Sequence, residues 1–193
     1  VWMEVDLTSN ASVEDGVLAS VPAPRGKELD PSIIHAVNRA LDQLRIVGVR
    51  AQPQPLTPRA LESKGFFLSP DLQQLFGNDG HLSVTTKDGV VLTLYFGEIS
   101  HESGLALTAG LEATEASDEA SASDTDAHRY VFVSARYDAK RDQREETSKD
   151  ASRPRGEARA KLMNERFGKW FYVVGNDAFE QLRKERAEFY KNK

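Results

Sequence analysis

The chain contains no cysteine. That excludes disulfides, thiolate catalysis and cysteine-ligated zinc, and it does not choose a compartment. No apolar run approaches the ~20 residues that a membrane-spanning helix needs, and no signal-peptide pattern is present. The first residue is Val1 rather than Met, so we expect a trimmed start, with an anchor or signal ahead of it. Acidic residues outnumber basic ones, 30 to 25. The net charge is −5 over 193 residues, so no global positive field draws nucleic acid. Walker A, GxGxxG, HExxH and GxSxG patterns are missing.

Scattered chemistry remains. His35, His81, His101 and His128 never fall at metal-ligand spacing. His35 lies on or near the apolar stripe of a helix and reads as partly buried. His101-Glu102-Ser103 has no nucleophile elbow beside it. Asn78-Asp79-Gly80 and Lys87-Asp88-Gly89 each place a carboxylate in a turn, without the series of oxygen ligands that a calcium loop requires. Turn chemistry explains both. We therefore expect no catalytic residue, no cofactor and no metal, and a protein that is not an enzyme. A small-molecule sensor or enzyme with an unfamiliar site is the alternative; His81, Glu98 and Arg136 would then converge in a pocket.

What the sequence does hold is a hairpin, FGNDGHLSVTTKDGVVLTLYFGE, over Phe76–Glu98. Leu82, Val84 and Thr86 alternate with Ser83 and Thr85. Val90, Leu92, Leu94 and Phe96 alternate with Val91, Thr93 and Tyr95. This is the period of a strand. A two-residue Asp88-Gly89 loop would set polar residues opposite apolar ones. A three-residue loop pairs Thr86 with Val90, Val84 with Leu92 and Leu82 with Leu94, with Gly89 left-handed in a bulge. Gly77 and Gly97 bracket the unit as strand ends.

Other elements follow from caps and spacing. Asp30-Pro31 opens a helix to about residue 45, with Ile33, Ile34, Val37, Leu41 and Leu44 on one stripe. Arg45–Arg50 reads as a strand and Gln52–Pro55 as extended linker. Thr57-Pro58 opens a short helix that stops by Gly65, and Phe66-Phe67-Leu68 packs inward. Arg129–Tyr137 and Lys169–Val174 are strands, and Leu162, Met163 and Phe167 mark a short helix ending at Gly168. Asp177 and Glu180 form a capping box for a closing helix over about 177–190. Trp2 and Val5 suggest an edge strand, and Pro22–Gly26 a loop. The sum is an α+β fold with a mostly antiparallel sheet, hairpin 81–97 within it, and helices 31–45 and 177–190 packed on one face.

We read 1–193 as a single domain with polar insertions at about 111–127 and 138–159. The first has several acids and no Lys or Arg, too little apolar surface to offset ordering. The second mixes both signs densely; Arg153, Arg155, Arg159 and Lys161 in it read as solvated surface. Trp170, Phe171 and Tyr172 are consecutive in a strand and so point to alternating faces. Trp170, Tyr172, Tyr130 and Phe132 are the candidate partner surface; packing beneath helices is the plainer use of such aromatics.

The order of these segments resembles the bacterial domains of unknown function classed as DUF 4340. It runs from ALDQLRIVGVRAQPQPL through SKGFFL, the hairpin and RYVFVSARYD to RFGKWFYVVGNDAFEQLRKERAEFY. Leu92–Gly97 is similar to the family's hairpin exit, and Phe171–Val174 to its late strand. The resemblance spans about 28–192. It implies a cell-envelope, extracytoplasmic domain, membrane-anchored only through an N-terminal segment not visible in this chain. Its partners would be envelope proteins, among them ABC transporter subunits or parts of a gliding-type system. The resemblance supplies no catalytic residues.

Overall fold

The structure, a computed structural model, describes residues 24–71, 74–100, 127–143 and 155–193. The expected strand at Trp2 and Val5, and most of the two polar insertions, lie outside these residues. The fold is α+β, and its described residues divide between two compact units. Of the described residues, one takes in 24–45 together with Asp177–Lys193, and the other those between Ile46 and Asn176.

In the first unit β1 (Lys27–Leu29) pairs antiparallel with β9 (Tyr190–Asn192). Helix α1 spans Pro31–Gln43, and the Asp30 carboxylate accepts from the Ser32 hydroxyl at 2.8 Å and from the Ser32 amide at 3.0 Å. Those bonds hold the Asp30 carboxyl below its ordinary pKa. Ile34, Val37 and Ala40 are the buried face. His35 is exposed, contrary to expectation, because it sits one residue, about 100°, beyond Ile34 on the helix. The closing helix is also shorter than its pattern. Helix α4 covers Asn176–Leu182, a 3-10 turn covers Arg186–Phe189, and the chain ends in β9. Asp177 lies in the first turn of α4 rather than at its cap; the capping box belongs to Glu185 and Glu188 at the 3-10 turn.

The second unit is built on a five-stranded antiparallel sheet in the order β2 (Ile46–Ala51), β8 (Trp170–Gly175), β7 (His128–Asp142), β6 (Asp88–Ser100), β5 (His81–Thr85). The hairpin register is the expected one: Val84 faces Leu92 and Leu82 faces Leu94. At the tip, the Gly89 amide donates to Thr86 O at 2.9 Å and the Thr86 amide to Val90 O at 2.8 Å. Gly89 has φ of +73°, the left-handed bulge position that favours glycine. Gly97 is not a strand end. It lies inside β6, beside the irregularity between Phe96 and Ile99.

Each sheet face has its own cover within this unit. On one face, α2 (Pro58–Glu62) and the ribbon β3–β4 (Phe66–Leu68, Leu75–Gly77) bury Leu61 and Phe66 against Tyr130, Phe171 and Val173. Phe66 stacks on Phe171 with ring centroids 5.8 Å apart. Two fully buried phenylalanines contribute roughly 1.5–3 kcal/mol each. The other face carries α3 (Gly156–Phe167), with Ala160 and Met163 on Val90, Leu92 and Ala135.

The far part of β7 and the first turn of α3 fall where a polar insertion was expected, and the rest of α3 is the short helix expected to end at Gly168. The strand runs on to Asp142 and the helix begins at Gly156. The buried side of α3 starts with Gly156 and Ala160, small residues that give no hydrophobic signal. A Cβ on Gly156 would stand 2.1 Å from Asp88 O and 2.5 Å from the Tyr137 ring, so the helix start rests directly on the hairpin tip. Strand β8 pairs with β7 only over His128–Val131. Farther along, the Asn164 carboxamide takes the neighbour's place. It accepts from the Ala135 amide at 2.8 Å and donates to the Ala135 carbonyl at 2.5 Å.

Candidate functional site

The candidate aromatics do not form one surface. Tyr130 is opposite Val173, and Val131 is opposite Tyr172. Adjacent strand residues point to opposite sides, so Tyr130 and Phe132 share one face while Trp170 and Tyr172 share the other. Tyr130 is buried, and Lys64 Nζ donates to its hydroxyl at 3.1 Å while lying 4.5 Å from the ring centroid. Phe132 is half-buried against Phe66 and Phe171. Tyr172 is buried beneath Phe167 of α3. Burial raises its phenol pKa, and Arg166 offsets part of that rise. Trp170 alone of the four is exposed, at 39%. Strand alternation was legible; which face lay beneath the β3–β4 ribbon was not.

The groups named for a convergent pocket do not meet either. His81 faces Tyr95 across the hairpin and Arg136 faces Val91 across β6 and β7. Four residues of β6 separate those positions, roughly 13 Å. Glu98 accepts from Asn78 Nδ2 at 2.7 Å. Burial lowers the His81 pKa.

A groove opens instead between β7 and α3, with a volume of about 630 Å³. Ala135 and Ala160 are among its apolar lining, and Arg136, Lys161, Glu157 and Glu165 supply charge of both signs. Of the basic residues read as solvated surface, Lys161 lines this groove, Arg159 pairs with Asp88 at 2.7 Å, and Arg155 is exposed. Arg153 lies outside the described residues.

Two charged clusters sit at the ends of the hairpin. At the base, Arg129 is buried and ion-paired with Asp79; it also donates to Gly97 O at 2.8 Å and to Asn176 Oδ1 at 3.2 Å. At the tip, the Asp88 carboxylate accepts from the Thr86 hydroxyl and from Arg159. Desolvation alone would raise the Asp88 pKa, but these donors outweigh it and the pKa is lowered. Sequence reading missed both clusters. Asp79 and Asp88 looked like ordinary turn residues, and their arginine partners are 50 and 71 positions away.

Among the described residues no group of three or more His, Cys, Asp or Glu could hold a metal ion. Among them, too, no helix is long and apolar enough to cross a membrane. The class the fold defines is an α+β domain on a five-stranded antiparallel sheet. No family model, curated protein or solved structure matches the chain.

Proposed function

We propose that this chain is a non-enzymatic accessory domain that works through protein–protein contacts in the bacterial cell envelope. The setting is the one the family resemblance implies: extracytoplasmic, anchored through a preceding segment, and auxiliary to an ABC-type transport or gliding-type system. The observation that carries the reading is Phe67. Its neighbours Phe66 and Leu68 pack inward from β3, while Phe67, opposite Phe76 on the ribbon, is 43% exposed. An aromatic left open on a short ribbon braced by core on its other side is a rigid anchor for a partner. Trp170 offers a second exposed aromatic. The test is chemical crosslinking and pull-down of the full-length protein from its native membranes. Recovery of a permease or ATPase, reduced at least about tenfold by Phe67→Ser as for an interface anchor, supports the reading. A protein without a membrane partner, or capture indifferent to Phe67→Ser, overturns it.

The groove between β7 and α3 favours a second reading, a small-molecule sensor or enzyme. Its paired charges suit a small zwitterion. Titration of free amino acids that shifts the amide resonances of Ala135 and Asn164 would support that use.

A further inference from the structure

Helix α3 sorts a mixed run of charges into two flanks. Along the chain, Arg155, Glu157, Arg159 and Lys161 interleave the two signs. On a helix, residues three and four apart share a side. Glu157, Lys161 and Glu165 recur every four residues and line the groove beside β7. Arg159, Leu162 and Arg166 fall at i, i+3 and i+7 on another stripe, with Arg155 at the N-cap a turn ahead. None of these four lines the groove. The side turned to the sheet is Gly156, Ala160 and Met163.

Arg155 and Arg166 are exposed, and among the described residues neither makes an ion pair. The Arg166 guanidinium lies 6.0 Å from the Phe167 ring centroid. Arg159 holds Asp88 and still keeps 41% of its side chain open. Between these arginines Leu162 is 54% exposed. The whole chain carries −5, so this positive stripe is a local feature and not a share of a general field.

We propose that the Arg155–Arg159–Leu162–Arg166 stripe of α3 is a contact for an anionic lipid surface. Guanidinium groups match phosphate oxygens in charge and in fork geometry. Leu162 selects among the bearers of phosphate. A nucleic acid or a free phosphate would suit the arginines and leave the leucine in water. A headgroup layer takes both, with the arginines at the phosphates and the leucine at the acyl boundary. The stripe runs about 16 Å from Arg155 to Arg166 along the outside of a helix, which fits a broad surface better than a small anion. The ribbon bearing Phe67 covers the opposite sheet face, so lipid at α3 leaves that aromatic accessible. The contact stands apart from the function proposed above: capture through Phe67 and lipid binding through α3 can each fail alone.

Cosedimentation of the full chain with vesicles of equal parts phosphatidylglycerol and phosphatidylcholine tests it. Binding is expected to these vesicles and not to phosphatidylcholine alone, and should weaken as salt rises. Arg155→Gln and Arg166→Gln should each weaken it about fivefold, the size of one cation at an anionic bilayer. Both side chains are exposed, so circular dichroism should not change. Leu162→Gln should also weaken it about fivefold, the worth of a leucine going from half-exposed to buried. Lys161→Gln removes the same charge from the groove flank and should cost less than about twofold, because screening confines each charge to its own side. Any one of four results overturns the proposal: no binding to the anionic vesicles, equal binding to the neutral ones, indifference to Leu162→Gln, or a loss with Lys161→Gln as large as with either arginine variant. Tighter binding to soluble polyglutamate than to the vesicles would overturn it too, by assigning the stripe to an acidic protein.

Discussion

The hairpin β5–β6 has an arginine–carboxylate pair at each end, and the two pairs are unlike. At the base, Arg129 is 3% exposed and its guanidinium is shared among Asp79, the Gly97 carbonyl and Asn176. At the tip, the Arg159 side chain is 41% exposed and reaches only one carboxylate among its described contacts, that of Asp88. Burial makes the first pair obligatory, because an arginine cannot shed its charge and the interior cannot solvate it. The second pair sits where water and salt screen it. What fixes the tip is packing and backbone pairing: Gly156 against Asp88, and Asn164 bonded to Ala135.

Asp79→Ala should therefore be the most damaging change. It strands Arg129 in the interior at a cost of about 3–5 kcal/mol, read as a lowered urea midpoint. A loss below about 1 kcal/mol, the level of an exposed pair, would erase the distinction between the ends. Asn164→Leu comes next. It keeps the approximate volume and leaves the Ala135 amide and carbonyl unmet, costing roughly 2–3 kcal/mol, with faster amide exchange at Ala135. Exchange unchanged at Ala135 would show that the carboxamide is dispensable.

Arg159→Gln should cost least, about 0–1 kcal/mol. Its sharper reading is against pH. The Asp88 pKa is lowered by folding. The stability it contributes is fully present above the ordinary aspartate value and is lost as pH falls through the lower folded value. Arg159→Gln should flatten that acid limb. An acid limb identical in the two proteins would place the pair outside the energetics of the tip.

The parts legible in the sequence were those written locally. The register of the hairpin followed from the alternation of Leu82, Val84, Val90 and Leu92 around Lys87-Asp88-Gly89. Helices α1 and α2 were announced by Asp30-Pro31 and Thr57-Pro58; in the second, the Thr57 hydroxyl accepts from the Ala60 amide at 3.2 Å. What could not be read was written at long range or in small residues. Helix α3 meets the sheet through Gly156 and Ala160, so a search for large apolar residues passes over its first two turns. Leu162, which helped to suggest the helix, is 54% exposed. Its real contribution on the next turn is Asn164, a polar residue whose use depends on a strand 29 positions earlier. The end of the chain misled for a different reason. Phe179, Leu182 and Phe189 are all buried, but Phe189 is delivered by a 3-10 turn rather than by a continued helix.

Asn164 also constrains how this protein can change. A carboxamide that stands in for a strand fixes the rotational phase of α3 as firmly as its position. One residue inserted in the helix ahead of Asn164 would swing that side chain about 100° from Ala135, with no apolar residue out of place to show it. The connection into the helix can vary in length so long as the same amide arrives at the same peptide. In that sense α3 is keyed to the sheet like a bolt in a slotted plate, and the key is one uncharged side chain.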